Sequence, residues 1–280
     1  IGFHGRASGD LVAVSDCALL LPALQASLPL LAAVTVAGAS RQGELALTVT
    51  ATEGGLDLAV TGGKPMDADL FARLAALAES GDLARLAWDG DSVAARRPAA
   101  QRFGAALVTP PGGAFLQATK HGEATLLAAV RLAVGPARRI ADLFSGAGTF
   151  SLPLAEQAEV YAAEALPEMI AALQAGARAT QGLRPVTVEA RDLFRRPLLP
   201  DEIDRFDAVV LDPPRAGAES QVREIARSRL ARLAYVSCNP LTFARDAHIL
   251  AGAGFRLDWV QPVDQFRWST HVELAASFSR

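Results

Sequence analysis

From Arg139 onward, short runs of apolar and β-branched residues alternate with stretches of helical periodicity, the pattern of a parallel sheet covered by helices. The runs fall at residues 140–144, 160–163, 186–190, 208–211 and 233–237, and each predicts a strand. Between them, residues 167–181 and 242–253 repeat with the helical period, with Pro167 suited to a first turn and Gly254 to a helix end. Two further runs, 256–261 and 272–278, are separated by a loop with no room for a helix. The last two of seven strands are therefore expected to form an antiparallel hairpin.

The first 120 residues follow a different rhythm. Residues 44–50 and 56–60 alternate apolar and polar positions around Gly54-Gly55, as a hairpin does, and 83–88 predicts another strand. Helices are expected at 18–31 and 68–79. The most apolar stretch, 18–39, is broken by Pro22, Gln25 and Pro29 and reads as a buried helix followed by a strand, not a membrane span. This predicts a smaller N-terminal α+β domain over residues 1–118, joined near the turn formers of 110–113 to a second domain over 119–280. A length of 280 residues with 51% hydrophobic composition suits such a pair of cores. No internal repeat or low-complexity tract is visible in the sequence.

The formal net charge of -3 argues against a chain that holds polyanions by bulk positive charge, so nucleic-acid contact requires a local patch. Lys64 and Lys120 are the only lysines, and a bias that also inflates alanine explains the arginine excess as well as any function does. Two cysteines, Cys17 and Cys238, make no disulfide framework and cannot alone hold a zinc or iron-sulfur site. A reducing cytoplasm is the simplest expectation, and no secretory leader pattern opens the chain. Its first residue is Ile1, which leads us to expect a segment upstream.

The first strand of the second domain runs into Asp142-Leu-Phe-Ser-Gly-Ala-Gly-Thr-Phe150 and then a helix. Gly146 and Gly148 allow close backbone approach to a ligand at the carboxyl end of a strand, where open α/β sheets bind cofactors. A nicotinamide site is a rival reading, although Ser151 stands where the dinucleotide pattern has its third glycine or an alanine. Glu164 at the end of the second strand is placed to accept hydrogen bonds from ribose hydroxyls, and Asp192 past the third to do the same for an adenine amino group. Each acid alone is commonly a solvated loop residue; together, at successive strand ends of a seven-strand pattern, they predict the class I S-adenosylmethionine-dependent methyltransferase fold.

The fourth strand ends in Asp212-Pro-Pro-Arg-Ala-Gly217 and the fifth in Ser237-Cys-Asn-Pro240. Asp-Pro-Pro is a feature of methyltransferases acting on amino groups of bases, where an aromatic residue usually follows; here Arg215 follows, which points away from an amine. A lone cysteine on an apolar strand is usually inert core. At the last position of a strand, ahead of Pro240, Cys238 is better placed to face the cleft. Carbon 5 of uracil needs such a group, because it is a poor nucleophile until a thiolate adds at carbon 6. A base must then remove the carbon 5 proton, and Glu273 in His271-Val-Glu273 is the candidate, although a surface residue on a terminal strand is the plainer reading.

Taken together, DLFSGAGTF, DPPRAG, SCNP and DQFRWSTHVE resemble the RNA uracil-C5 methyltransferase family that modifies bacterial transfer and ribosomal RNAs. The resemblance implies S-adenosylmethionine as cofactor, Cys238 as nucleophile and Glu273 as proton acceptor. It implies further that Gln117 of Phe115-Leu-Gln117, Phe144, Thr149, Glu164, Asp192 and Asp212, with Gly146 and Gly148, line the donor and target pocket. Thr149 stands where the family often has asparagine, and Arg267 and Trp268 replace a commoner proline and small or polar residue. The implied partner is RNA, ribosomal rather than transfer, met in a loop or single strand from which the base is extruded; a monomer without membrane contact is expected. Gly2-Phe3 and the stretch from Val14 to Pro22 resemble the segment carrying the last of four cysteine ligands of an iron-sulfur cluster. Cys17 would be that ligand only if an upstream segment supplied three more. The alternatives are a base or protein amine methyltransferase acting through Asp212-Pro-Pro without a covalent intermediate, an RNA chaperone that binds the cofactor incidentally, and an NAD-linked reductase.

Overall fold

A computed structural model describes residues 1–5, 8–40 and 43–280. The chain forms two compact units, one of residues 1–101 with 109–114 and the other of residues 102–108 with 115–280.

In the first unit, β1 (Gly2–His4) pairs antiparallel with β2 (Leu11–Ala13). Two helices follow, α1 (Pro22–Ala26) and α2 (Leu28–Gly38). This corrects the expected helix over 18–31 and the strand after it. Pro22 and Pro29 each sit in the first turn of a helix, where the missing N–H is not needed, so the chain breaks at Ser27 and restarts. The β-branched Val34-Thr-Val36 is helical because Val34 is fully buried in the core of this unit, an instance of packing overriding local propensity. Strands β3 (Ala46–Thr52) and β4 (Gly55–Thr61) form the expected hairpin. After α3 (Ala68–Ser80), capped by the Asp67 carboxylate accepting from Leu70 N–H at 2.7 Å, come β5 (Arg85–Trp88) and β6 (Asp91–Ala95). They complete a four-stranded sheet of order β3-β4-β5-β6, with Leu58, Leu70, Leu74, Leu86 and Trp88 in the core.

The second unit begins with the short pair β7 (Gln101–Phe103) and β8 (Ala106–Val108) and the helix α4 (Lys120–Val134). Then alternate β9 (Arg139–Leu143), α5 (Ser151–Leu154), β10 (Glu159–Glu164), α6 (Pro167–Ala179), β11 (Val186–Ala190), α7 (Pro200–Ile203), β12 (Ala208–Leu211), α8 (Glu219–Arg227), β13 (Arg232–Ser237) and α9 (Pro240–Gly252). The chain ends in β14 (Arg256–Val263) and β15 (Glu273–Ser279). The sheet order is β11-β10-β9-β12-β13-β15-β14, with β15 antiparallel to both neighbours and the other pairings parallel. This is the class I methyltransferase order. Two apolar layers hold it, one on each face: Leu143, Leu211, Tyr235 and Phe278 belong to one, and Leu126, Ile140, Val210 and Val236 to the other. Strands buried on both faces explain the unbroken apolar runs of the sequence. Among the described residues no helix is long and apolar enough to cross a membrane.

Candidate active site

β9 lies between β10 and β12, so the strand order reverses there and a crevice opens at the carboxyl ends of the strands. The chain leaves β9 through a turn in which Phe144, Gly146 and Gly148 all take left-handed conformations, with φ of 65°, 54° and 101°. For Phe144 this conformation is costly, and such residues gather at functional sites. The turn is tied to β10 by the Phe144 and Ser145 N–H groups, which donate to the Ala163 carbonyl at 2.9 and 3.1 Å. At the end of β10 the Glu164 carboxylate accepts from the N–H groups of Gly146 at 3.1 Å, Ala165 at 2.8 Å and Leu166 at 3.0 Å. Its orientation is thereby fixed, and acceptor capacity remains toward the crevice. Asp192 follows β11 and accepts from Phe194 N–H at 3.0 Å and Arg195 N–H at 3.3 Å. The turn it holds sets the Phe194 ring 5.4 Å from that of Phe144. Thr149 stands in the glycine turn, partly buried.

A cluster of acids lies under this turn. Asp142, fully buried, accepts from the Ser151 hydroxyl through one oxygen, while its Oδ1 is buried without a hydrogen-bond partner. Burial pushes its carboxyl up to about 7. Asp212, at the end of β12, is pushed up to about 8 by burial and by the negative charges of Glu273 and Asp142. An orphaned buried oxygen beside carboxyls that repel one another is a donor set suited to a cationic ligand, and the left-handed glycine turn beside it admits close approach of that ligand's backbone-facing edge.

The register of β13 against β15 decides where Cys238 and Glu273 stand. Ser237 pairs with Leu274 in this antiparallel ladder. One step further, Cys238 and Glu273 face each other across the end of the two strands. Glu273 is 6% exposed and its carboxyl is raised by burial, opposed by Arg215. The Cys238 thiol is likewise raised, by burial first and then by Glu273 and Asp212, with its own backbone N–H and Arg215 acting the other way.

The loop after β12 carries Arg215 to this pair. Asn239 donates through Nδ2 to the Arg215 carbonyl at 2.9 Å and accepts from Leu241 N–H at 3.1 Å as the N-cap of α9. The Thr242 hydroxyl also donates to the Arg215 carbonyl, at 3.2 Å. Beneath the loop, buried Asp246 accepts from Ala218 N–H at 2.8 Å, the Tyr235 hydroxyl at 2.6 Å and Arg245 Nε at 2.8 Å. The Arg215 guanidinium donates to His271 Nδ1 at 3.0 Å. Because arginine only donates, this bond requires an unprotonated Nδ1.

The profile of the tRNA (uracil-5-)-methyltransferases matches residues 110–280. The chain belongs to that family. As an RNA (uracil-5-)-methyltransferase it takes its methyl group from S-adenosylmethionine. It is 43% identical over 280 residues to an RNA methyltransferase of Brucella suis, covering 100% of this chain and 68% of the relative. A 23S rRNA (uracil(1939)-C(5))-methyltransferase of Pseudomonas putida is 37% identical over 292 residues, covering 99% and 63%. The Pyrococcus abyssi tRNA (uracil-54, C5)-methyltransferase, solved with S-adenosyl-L-homocysteine, superposes with a TM-score of 0.76 at 20% identity, covering 98% of this chain and 72% of that one. That last likeness concerns the fold.

Within this methyltransferase the structure gathers Cys238, Glu273, Asp212 and Asp142 into one electrostatic group, and Gly146 with Glu164 into one hydrogen-bonded unit. Gln117 is bonded to Gln265, at 2.8 Å. Cys17 lies in the first unit, its N–H donating to Gln25 at 3.2 Å; among the described residues no three His, Cys, Asp or Glu side chains converge as metal ligands. Sequence reasoning did not single out His271 and Asn239, which hold Arg215, or Asp246 beneath that loop. Asn239 carried a signal, since Asn followed by Pro at a strand-to-helix junction is a capping pattern.

Proposed function

We propose that Cys238 is the nucleophile and Glu273 the base of carbon 5 methylation, and that the substrate is ribosomal RNA. The observation that carries this reading is the register of β13 against β15, in which the step beyond Ser237 and Leu274 sets Cys238 opposite Glu273. In the reaction, the Cys238 thiolate bonds to carbon 6 of an extruded uridine, and the electron pair of the 5,6 double bond moves toward the carbonyl oxygen at ring position 4. Bound S-adenosylmethionine supplies an electrophilic methyl group. Carbon 5 takes it up; Glu273 then removes the carbon 5 proton and the sulfur–carbon 6 bond breaks, restoring the double bond and the thiolate. Asp142, Asp212, Glu164, Asp192 and the turn at Gly146 and Gly148 hold the donor, the first two beside its positive charge and Glu164 toward its ribose. Arg215 lowers both the thiol and the carboxyl, which favours the charged forms of the pair. Ribosomal RNA is favoured over transfer RNA by the 37% identity to the Pseudomonas putida 23S rRNA enzyme.

The experiment combines the protein, labelled S-adenosylmethionine and RNA transcribed with 5-fluorouridine. A covalent adduct through Cys238 accumulates, because fluorine cannot leave as a proton. Labelled methyl transfer to unsubstituted RNA without any adduct on fluorinated RNA would refute the covalent route. Ribosomal RNA from a deletion strain lacks one 5-methyluridine while its transfer RNA is unchanged; the reverse would refute the substrate assignment.

A further inference from the structure

The chain between β14 and β15, residues 264–272, leads into Glu273. It turns sharply where the Ser269 N–H donates to the Phe266 carbonyl at 2.9 Å. Arg267 and Trp268 are the two central residues of this four-residue turn, and Trp268 has a φ of 65°. Turns with a left-handed third residue are commonly built with proline second and glycine or asparagine third, because a bulky side chain is strained there. This turn carries an arginine and a tryptophan instead. Packing does not offset the strain, since Trp268 is 84% exposed and Arg267 is exposed beside it. A local rule broken without a compensating contact inside the fold marks a functional position.

The turn belongs to the rim of the Cys238–Glu273 pair. His271, between the turn and Glu273, donates its backbone N–H to the Ser269 hydroxyl at 3.1 Å. Its ring meets that of Phe266 edge-on at 6.2 Å, and its Nδ1 accepts from Arg215 at 3.0 Å. The Arg215 carbonyl accepts from Asn239, whose side chain accepts in turn from the Leu241 N–H. Three loops are thereby tied into one rim. It carries the two most exposed large apolar side chains among the described residues, Trp268 and Leu241, the latter 83% exposed. Arg215 and Arg267 add positive charge, while the acid of the turn's own loop, Asp264, accepts from the Phe266 N–H at 3.0 Å.

We infer that Trp268 is a stacking platform for an unpaired RNA base next to the target uridine, and that Arg267 pairs with the phosphate beside it. The inference rests on the proposed reading of the Cys238–Glu273 end as the place where an extruded uridine reacts. A strand whose uridine enters that end has to cross its rim, and the bases flanking the uridine lose a stacking partner when it leaves. An exposed indole replaces the lost partner whatever the neighbouring base, because every base has a π-face. Arginine grips phosphate in bidentate fashion. In a chain of net charge -3, a local pairing of aromatic surface with guanidinium groups, continuous with the reacting end, suits RNA better than an apolar protein surface.

The test measures binding of unmodified ribosomal and transfer RNA transcripts, with S-adenosylhomocysteine present, by the wild-type protein and by Trp268→Gly, Trp268→Phe and Arg267→Ala. In Trp268→Gly the RNA affinity falls about 5- to 150-fold while the melting temperature is kept, since glycine takes the left-handed conformation without strain; a purely structural side chain would give the opposite. Trp268→Phe restores most of the affinity but loses the quench of tryptophan fluorescence that RNA causes in the wild type. Arg267→Ala makes the slope of log affinity against log salt shallower by about 1. Wild-type affinity in Trp268→Gly, or a quench that persists in Trp268→Phe, overturns the inference. If a Trp268→Gly protein of wild-type RNA affinity has also lost a self-association that the wild type shows without RNA, the face belongs to a second copy of the chain. A wild type that binds neither transcript overturns the inference too. A wild type that binds RNA through Trp268 yet forms no adduct with 5-fluorouridine RNA overturns the covalent route instead and leaves this inference standing.

Discussion

Asp212 offers a sharp quantitative test of the cofactor site. Its carboxyl is pushed up to about 8 by burial and by Glu273 and Asp142, so at pH 7 roughly nine in ten ligand-free molecules hold a proton there. Ionising it at pH 7 costs about 1.4 kcal/mol. A unit positive charge about 5 Å away, at an effective dielectric constant of about 20, returns roughly 3 kcal/mol. The gain exceeds the cost, so on the proposed placement of the donor a sulfonium cation beside Asp212 would expel the proton. Since the ligand-free pKa is raised, the penalty is present below about 8 and vanishes above it. Affinity for S-adenosylmethionine therefore weakens about tenfold for each pH unit below 8, while S-adenosylhomocysteine, whose sulfur is neutral, responds less. Calorimetry from pH 6 to 9, in buffers of different ionisation enthalpy, reads both the affinity and the released proton. Asp212→Asn makes the slope that distinguishes the two ligands shallower and leaves the contribution of Asp142 below about 7. A wild-type ratio of the two affinities that stays constant over that range would refute the reasoning.

Other outcomes follow from individual contacts. Glu273→Gln cannot remove the carbon 5 proton; turnover falls about 10²- to 10⁴-fold and a methylated protein–RNA adduct persists on denaturing gels, whereas unchanged turnover would exclude Glu273 as the base. Gly148→Ala places a Cβ within 3.0 Å of Leu152 and Leu173 at a φ of 101°; we expect a melting temperature lower by several degrees and weaker S-adenosylhomocysteine binding, read by thermal shift with and without ligand. Asp246→Ala strands the Tyr235 hydroxyl, the Ala218 N–H and Arg245, and should cost about 3 kcal/mol in denaturant unfolding; a loss below about 1 kcal/mol would show that the loop after β12 is held by other means.

The sheet of the second unit was legible because its strands are covered on both faces and so appear as unbroken apolar runs; β10 and β11 begin and end within a residue or two of expectation. In the first unit the signal was ambiguous where it mattered. Val34-Thr-Val36 has strand-forming residues but packs as helix, and three-residue strands such as β1, β2, β7 and β8 are too short to show a period. The acids at strand ends were legible because each directly follows an apolar run. The side chains that orient the site were not. Arg215 and His271 are 56 residues apart, and Gln117 and Gln265 are 148 apart; no local spacing announces such pairs, and only the folded sheet brings them together.

The same burial that raises the carboxyls of Asp142 and Asp212 works against Cys238 as the proposed nucleophile. Burial first, and then Glu273 and Asp212, raise the Cys238 thiol, which disfavours the thiolate, its nucleophilic form. The opposing contributions are its own backbone N–H and Arg215, which is itself exposed and held by His271 and Asn239. A sulfonium entering beside Asp212 takes the place of the proton that carboxyl gives up, so the net charge there changes little and Arg215 remains the side chain that favours the thiolate. The alkylation rate of Cys238 by iodoacetamide should accordingly fall in Arg215→Ala, and a rate equal to that of the wild type would refute this role of the guanidinium.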